Sequence, residues 1–504
     1  MKFNYLTAIL NARVYEVAKE TPLDLAKKLS ARTGNTVLLK REDQQDVFSF
    51  KIRGAYNKMA QLTDAQKSAG VITASAGNHA QGVAYSAKKL GIAATIVMPT
   101  TTPSIKIDAV KARGAEVLLH GVSFSEANSH ALALAKTRQA AYVHPFDDPL
   151  VIAGQGTVGM EILRALPERC DAVFVSVGGG GLIAGVGAYI KAVRPKVRVI
   201  GVEPVDSDAM TRSLKAGKRI KLESVGLFAD GVAVLQEGVE TFRVTKEVAD
   251  DMVTCTTDEM CAAIKDIYED TRGITEPAGA LAVAGLKKYV DKHKWQGKVC
   301  VAITSGANMN FDRLRFVSER AEVGEQREAL FAVSIPEVPG SFKRFIDVLN
   351  QRNVTEFNYR YADSAEAHVY VGMAVSGKAE RLSVLASIQK ASYQVHDMTD
   401  DEMAKLHIRH MVGGHSQGAR GERIFRFEFP ERPGALMRFL SALNKGWNIT
   451  LFHYRNHGAD TGRVLAGLQI PKSDEKSFVT FLKELGYPCI EETKNPIYRL
   501  FLGK

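Results

Sequence analysis

The stretch AVFVSVGGGGLIAG, residues 172–185, joins an apolar β-rich run to four consecutive glycines and then to an apolar helical run. This order is typical of an α/β sheet, where ligands bind beyond the carboxyl ends of parallel strands. Backbone N–H groups crowded at the start of a helix can surround an anion, so Gly178, Gly179, Gly180 and Gly181 predict a phosphate site. The alternative is a tight turn that needs glycine only for its backbone geometry, and four glycines in a row favour phosphate.

Two familiar nucleotide fingerprints do not match this stretch. Ile183 stands where GxGxxG requires its third glycine, and no GK[ST] follows the glycines. The expected phosphate therefore belongs to a group other than NAD or ATP.

The pattern around this stretch is a regular alternation of β-rich and helical segments between about residues 36 and 310. It predicts a mainly parallel sheet covered by helices on both faces. The segment FKIRGAYNKMAQL, which follows Ser49, is predicted as a helix, and Thr256 and Glu259 form a capping box for a helix that Gly273 ends. The β-rich runs are TVLLK, VITAS, ATIVMP, AEVLLH, AYVHP, AVFVSVG, VRVIGVEP and VCVAITS.

Beyond Arg320 the Gly-rich turns stop and a repeat begins. FAVSIPEVPGSFKRFIDVLN resembles FRFEFPERPGALMRFLSALN, so that EVPG (337–340) matches ERPG (431–434) 94 residues later, and VTEFNYR matches ITLFHYR at an offset of 95. Each copy predicts a strand, a Pro-Gly turn, a helix and a second strand. Because one small sheet leaves an apolar face uncovered, we expect the copies to pair, with 411–423 as a linker.

Composition excludes several classes of function. A net charge of +10 without a basic run interleaved with aromatics argues against nucleic acid. The five cysteines include no CxxC pair, which fits neither a disulfide framework nor a metal cage and favours a reducing compartment. The amino-terminal segment has no long apolar run, so we expect neither a signal peptide nor a membrane span, and a cytoplasmic location.

Three further segments carry candidate chemistry. In VITASAGNHAQG, Ser75, Asn78 and His79 follow a buried strand, where N–H groups can hold a carboxylate, although Ser75 and Asn78 could equally cap the helix. In VAITSGANMN, Ser305 stands at a strand end. Lys51 lies between Phe50 and Ile52, and a lysine in apolar surroundings can lose its proton and form a Schiff base. A Schiff-base lysine together with a phosphate site suggests pyridoxal 5'-phosphate.

The segments SFKIRGA, TASAGNHAQG, GQGT, SVGGGGLIAG, ITEPAGA and TSGAN, in this order, resemble the pyridoxal-phosphate threonine dehydratases. The resemblance implies a two-lobed α/β fold of the tryptophan synthase β-like kind with open parallel sheets over 1–320, its small lobe being about 52–148. The repeat resembles the paired α+β ACT-like regulatory modules of the biosynthetic form, here 329–401 and 423–494.

The same resemblance assigns roles to residues of the motifs. Lys51 carries the cofactor, Asn78 contacts its ring hydroxyl and Ser305 meets its pyridine nitrogen. Ser75, Asn78 and His79 line the substrate carboxylate, while Ala76 stands where racemases have a serine and so disfavours racemisation. The cofactor phosphate is held by Gly178, Gly179, Gly180, Gly181 and Leu182.

The implied function is an L-threonine ammonia-lyase that forms 2-oxobutanoate and ammonia, the first step of isoleucine biosynthesis. The resemblance further implies a homotetramer, inhibited by isoleucine and opposed by valine, with Tyr359 and Tyr454 touching the effector. Ordinary strand aromatics are the alternative for these tyrosines. The rival functions are a serine dehydratase or β-replacing enzyme of the same fold, and a catalytically silent amino-acid sensor.

Overall fold

The computed structural model describes residues 3–336, 344–345, 348–349, 354–359, 366–410, 421–430, 438–439, 442–443, 447–455 and 461–502. The chain forms two compact units, Met1–Phe311 and Asp312–Lys504. Over the described ranges no helix has the length and apolar character needed to cross a lipid bilayer. Both predicted Pro-Gly turns, and the linker up to residue 420, lie outside the described residues.

The first unit contains two sheets. Its strands are β1 (Leu23–Leu25), β2 (Thr36–Lys40), β3 (Val71–Ala74), β4 (Ala94–Met98), β5 (Glu116–Leu119), β6 (Ala141–Tyr142), β7 (Ala172–Ser176), β8 (Arg198–Pro204), β9 (Asp251–Cys255) and β10 (Val299–Ile303). The larger sheet has the order β1-β2-β10-β7-β8-β9, and the smaller has the order β5-β4-β3-β6. All neighbours pair in parallel except β1 and β2. The smaller sheet is formed by the part of the chain that lies between β2 and β7.

Helices cover these sheets. They are α1 (Tyr5–Leu10), α2 (Lys27–Thr33), α3 (Lys51–Ala60), α4 (Asp64–Ala69), α5 (Asn78–Leu90), α6 (Ser104–Lys111), α7 (Phe124–Arg138), α8 (Pro149–Ala165), α9 (Gly181–Val193), α10 (Ala209–Ala216), α11 (Val239–Val248), α12 (Thr257–Thr271) and α13 (Pro277–Lys292). Strands β3, β4 and β7 are buried along their whole length, as expected for parallel strands packed on both faces.

Most of the sequence-based fold prediction is confirmed. All eight predicted β-rich runs contain a strand, and Ile52, Tyr56 and Met59 of α3 are at most 1% exposed. The capping box of Thr256 and Glu259 opens α12. The predicted end of that helix is wrong by one residue, because Arg272, with φ +58°, takes the left-handed cap position instead of Gly273.

The described residues of the second unit form two four-stranded sheets. Its helices are α14 (Arg313–Gly324), α15 (Lys378–Lys390), α16 (Glu402–Leu406), α17 (Glu475–Leu485) and α18 (Pro496–Phe501). Its strands are β11 (Glu328–Pro336), β12 (Val354–Tyr359), β13 (Glu366–Ala374), β14 (Gln394–Asp397), β15 (Glu422–Pro430), β16 (Asn448–Arg455), β17 (Thr461–Gln469) and β18 (Cys489–Glu491). The sheet orders are β12-β13-β11-β14 and β16-β17-β15-β18, antiparallel throughout.

The repeat is visible in the backbone register of the two sheets. β11 and β15 begin 94 residues apart, and the register of β12 shifts between Val354 and Glu356 where that of β16 shifts between Ile449 and Leu451, 95 residues later. Each sheet buries one apolar face in a cluster of its own. A third cluster takes Leu330 and Tyr370 from one sheet and Ile424 and Leu465 from the other. The two copies therefore pack together, as the exposed apolar face of a single sheet predicts.

Candidate active site

A cavity opens in the first unit where β7 and β10 end. About 430 Å³ of space, part of it open to solvent, is left free of protein atoms there. Lys51, Asn78, the glycine loop and Ser305 all line it, so the structure brings together residues from four separate sequence motifs. The lining residues are Phe50, Lys51, Asn78, Phe146, Ser176, Gly178, Gly179, Gly180, Gly181, Leu182, Gly231, Val232, Glu276, Ala278 and Ser305.

The glycine loop leads directly from β7 into α9. Gly180 is the N-cap of α9 and has φ +90°, a backbone conformation that other residues rarely adopt. A Cβ atom on Gly179 would lie 2.2 Å from the ring of Phe146. Backbone geometry and close packing therefore account for glycine here alongside anion binding. The N–H groups at the start of α9 face a cavity and carry the positive end of the helix dipole, which suits a phosphate.

Lys51 is the first residue of α3, and its Nζ donates a hydrogen bond to the carbonyl of Pro145 at 3.0 Å. Burial lowers the pKa of Lys51 to about 8, with Glu276 acting in the opposite direction. A buried amine gives up its proton more readily, because the ammonium form loses hydration. The amine of Lys51 is thus suited to react with an aldehyde near neutral pH.

Ser305 follows β10 and is 3% exposed. Its hydroxyl donates to the carbonyl of Ala278 at 3.2 Å, and the hydroxyl of Ser176 donates to the same carbonyl at 2.9 Å. One face of the cavity therefore carries neutral hydroxyl groups close to the end of the central sheet. A neutral partner at this place does not favour a proton on a ring nitrogen.

The loop after β3 contributes less than the sequence predicts. Among the described residues that line the cavity, Asn78 is present, but Ser75 and His79 are not. The Nε2 of His79 bonds to the carbonyl of Val143 at 2.9 Å, and burial lowers the pKa of His79 to about 3. The hydroxyl of Ser75 accepts from the N–H of Gly77, which is itself the N-cap of α5 and makes no side-chain cap. Neither predicted cap is formed, so the start of α5 keeps its N–H groups for another partner.

Several lining residues were not predicted. Glu276 and Ala278 lie within the motif ITEPAGA, and Phe50 directly precedes Lys51. The sequence motifs could therefore have predicted these three residues as part of the cavity. Phe146 and Val232 come from loops far away in sequence, and no motif marks them. Only the fold places these loops over the glycines.

A cluster of buried charges fixes the helix that carries Lys51. Arg53, 0% exposed, contacts Glu42 at 2.7 Å and Glu161 at 2.5 Å. Lys40 contacts Glu161 at 2.5 Å and donates to the carbonyl of Thr21. Burial opposes ionisation of Glu42, but Arg53 outweighs it and holds the pKa of this carboxyl below its usual value. The positive charges of Arg53 and Lys40 are therefore balanced by the negative charges of Glu42 and Glu161, next to the first turn of α3.

The candidate effector residues lie at equivalent places in the two sheets of the second unit. The backbone of Tyr359 pairs with Val369, and that of Tyr454 pairs with Val464. Both tyrosines thus stand near the end of the strand that forms one edge of its sheet.

The features of this cavity define a site of the pyridoxal-phosphate class. The family model described as pyridoxal-phosphate dependent enzyme matches residues 14–306, and the model described as the C-terminal regulatory domain of threonine dehydratase matches 319–408 and 413–502. The first match lies within the first unit, and the other two lie within the second unit, one on each copy of the repeat.

Individual relatives narrow the assignment from a class of cofactor-dependent enzymes to one enzyme family. The chain is 58% identical over 503 residues to the biosynthetic L-threonine dehydratase of Burkholderia multivorans, covering 99% of each chain, and 54% identical over 500 residues to that of Escherichia coli, covering 99% of this chain and 97% of the relative. The solved structure of the processed form of threonine deaminase isoform 2 from Solanum lycopersicum matches 63% of this chain and 92% of its own, with 53% identity and a TM-score of 0.62. The chain belongs to the biosynthetic threonine dehydratase family of pyridoxal-phosphate-dependent enzymes.

Proposed function

We propose that the chain converts L-threonine to 2-oxobutanoate and ammonia, at the start of isoleucine biosynthesis. The observation that carries the proposal is that one cavity is lined by Lys51, whose pKa is lowered, by the glycine loop at the start of α9 and by the hydroxyl of Ser305. Each of these groups suits a different part of pyridoxal phosphate, and the family of the chain uses this cofactor.

The residues present fit the cofactor. The N–H groups from Gly178 to Leu182 would hold its phosphate, Lys51 would reach its aldehyde, and Ser305 would meet its pyridine nitrogen. Asn78 would donate to the ring hydroxyl. When bound, the cofactor supplies an electron sink for the bond that breaks at the α-carbon of the substrate. A neutral Ser305 leaves this sink weaker than a carboxylate would, which suits β-elimination better than transamination.

The protein's own side chains then handle the substrate. The substrate carboxylate lies at the start of α5, whose N–H groups are not capped by a side chain. The neutral amine of Lys51 takes the proton from the α-carbon and becomes an ammonium group, which returns a proton to the β-hydroxyl as this leaves as water. The released enamine tautomerises to an imine, and water hydrolyses the imine to 2-oxobutanoate and ammonia. His79 stays neutral and bonded to Val143, so we assign it to the shape of this loop while the backbone N–H groups contact the carboxylate.

The second unit is proposed to bind isoleucine, which lowers activity, and valine, which opposes it. Tyr359 and Tyr454 support the proposal because they occupy equivalent positions in paired sheets. Control of this kind requires the effector to bind one conformation of the protein better than another. We further propose a homotetramer in the cytoplasm, with partners restricted to these small molecules and to copies of the chain.

The first experiment measures keto-acid formation from threonine and from serine by the full chain and by Lys51→Ala. Loss of the base and of the covalent attachment should lower threonine turnover by roughly 10³-fold or more. Lys58→Ala is the control, since Lys58 lies on the same helix and pairs with Asp148 outside the cavity. Undiminished turnover in Lys51→Ala would refute the proposal.

The second experiment adds isoleucine to the full chain and to Tyr359→Ala and Tyr454→Ala. If either tyrosine contacts the effector, about tenfold more isoleucine is needed for half-inhibition, the effect of about 1.4 kcal/mol of binding free energy. Tyr268→Ala, an exposed tyrosine of the first unit, should respond to isoleucine as the unchanged chain does. An unaltered response in both tail variants would remove these tyrosines from the effector site.

A further inference from the structure

Glu276 belongs to ITEPAGA and Asn308 to TSGAN, and the structure places them on opposite sides of the Asn78 amide. Asn78 lines the cavity beside Lys51, so anything that fixes its amide acts on the cofactor site.

The three side chains form one directed series of hydrogen bonds. The Nδ2 of Asn308 donates to the carbonyl of Val47 at 2.8 Å and to the Oδ1 of Asn78 at 2.7 Å. The Nδ2 of Asn78 in turn donates to the Oε1 of Glu276 at 2.6 Å.

The direction of this series is set at both ends. A backbone carbonyl can only accept, so Val47 requires the amide nitrogen of Asn308, and not its oxygen, to point inward. A carboxylate can also only accept, so Glu276 requires the amide nitrogen of Asn78. Turning the Asn78 amide over would set its oxygen against the carboxylate of Glu276 and its nitrogen against that of Asn308. One orientation alone satisfies both neighbours.

Glu276 directs its side chain away from the helix that it precedes. It is the N-cap residue of α13, and its side chain makes no cap bond. The side chain, 3% exposed, turns to Asn78 instead, and a Cβ on Gly306 would lie 2.5 Å from its Oε1. Close packing by Gly306 thus confines the carboxylate beside the amide.

We propose that Asn308 and Glu276 are positioning residues, which hold the Asn78 amide so that its second N–H is presented to the ring oxygen of pyridoxal phosphate. An amide nitrogen carries two N–H groups, and Glu276 occupies only one of them. The inference rests on the proposed function, because it needs the cofactor in this cavity.

The experiment measures pyridoxal phosphate binding to the full chain by its visible absorbance, together with the melting temperature. Asn308→Asp keeps the shape of the side chain but cannot donate to Asn78, and its charge favours the inverted amide. Affinity for pyridoxal phosphate should fall roughly tenfold or more. In an Asn78→Ala background the same substitution should change affinity by no more than about twofold, because the residue through which it acts is gone.

Asn57→Asp is the matched control. The Asn57 amide is buried and, like that of Asn308, bonded to two partners: it donates to the carbonyl of Leu150 and accepts from the N–H of Arg13, but it does not line the cavity. Asn57→Asp should lower the melting temperature and leave the affinity within about twofold.

Three results would overturn the inference: unchanged affinity in Asn308→Asp, an equal loss in the Asn78→Ala background, or an equal loss in the control. If the unchanged chain takes up no pyridoxal phosphate at all, the proposed function fails and the positioning role fails with it. If the unchanged chain binds pyridoxal phosphate and any of the three results above is found, the positioning role is refuted and the proposed function is not.

Discussion

The buried charge cluster behind Lys51 gives a stability prediction that can be worked from the contacts. Glu161, 1% exposed, accepts from Lys40 at 2.5 Å, from Arg53 at 2.5 and 3.0 Å, and from the hydroxyl of Tyr15 at 2.9 Å. Glu161→Gln keeps the volume but replaces one acceptor oxygen by an N–H₂ group that must face a donor. It also leaves two buried cations with one buried anion, Glu42.

The expected loss is large because the remaining charge stays buried. Removing one partner of a buried ion pair destabilises a protein by about 3–5 kcal/mol. With a urea dependence of about 3 kcal/mol per M for a unit of this size, the unfolding midpoint should fall by about 1 to 1.7 M.

Tryptophan fluorescence offers a selective assay, since the chain has two tryptophans. Trp295 lies in the first unit and Trp447 in the second, so a Trp447→Phe background reports on unfolding of the first unit alone. Glu20→Gln is the control, because Glu20 pairs with Arg164 while both side chains are 54% exposed. Exposed pairs contribute about 1 kcal/mol or less, and the control should stay within that range. A loss below 1 kcal/mol for Glu161→Gln, or one equal to the control, would refute the reasoning.

Two further predictions concern the cavity. Because burial lowers the pKa of Lys51 to about 8, the rate at which the cofactor-free chain forms its imine with added pyridoxal phosphate, followed by visible absorbance, should rise through a midpoint near pH 8, as the neutral amine replaces the ammonium form. A midpoint above pH 10 would contradict this prediction. Gly180→Ala places a Cβ at φ +90° and 2.7 Å from the Cε of Met210, so it should weaken pyridoxal phosphate binding and lower the free energy of unfolding by about 2 kcal/mol or more. Gly217→Ala is the control, because Gly217 has φ +70° but open space around it. This variant should lose only the free energy that the left-handed backbone costs, about 1–2 kcal/mol, and should keep its affinity for pyridoxal phosphate.

Much of the fold could be predicted because its strands are short, apolar and bounded by turn residues. The parallel strands of the first unit stand out for this reason, and glycine turns mark the sheet edge where ligands bind. Strand β1 is only three residues long, and in β9 the first four residues are all half-buried, so neither strand shows a clear alternation. The end of α12 was missed because a left-handed cap usually selects glycine, whereas here Arg272 adopts it.

The cavity was predictable only where a motif carries its residues. Lys51, the glycine loop and Ser305 follow from local patterns. The place of His79 does not follow from a local pattern, because its bond to Val143 joins residues 64 apart and depends on how two neighbouring strands of the smaller sheet end. Phe146 likewise packs on Gly179 only once the small and large sheets are both formed. Long-range packing of this kind leaves no local signal in the sequence.

The position of Lys51 at the first residue of α3 links these observations. The start of a helix carries a partial positive charge, which disfavours an ammonium group there and adds to the effect of burial. A helix end without side-chain capping is prone to fray, and the N-cap of α3, Phe50, makes no cap bond. The bonds from Arg53 to Glu42 and Glu161 hold this first turn in place. A well-packed apolar cluster of similar volume could provide equal or greater stability. Unlike an apolar cluster, Arg53 and its partners fix the orientation of the turn, because bidentate charged hydrogen bonds are directional. They thereby fix the point from which the Lys51 side chain enters the cavity.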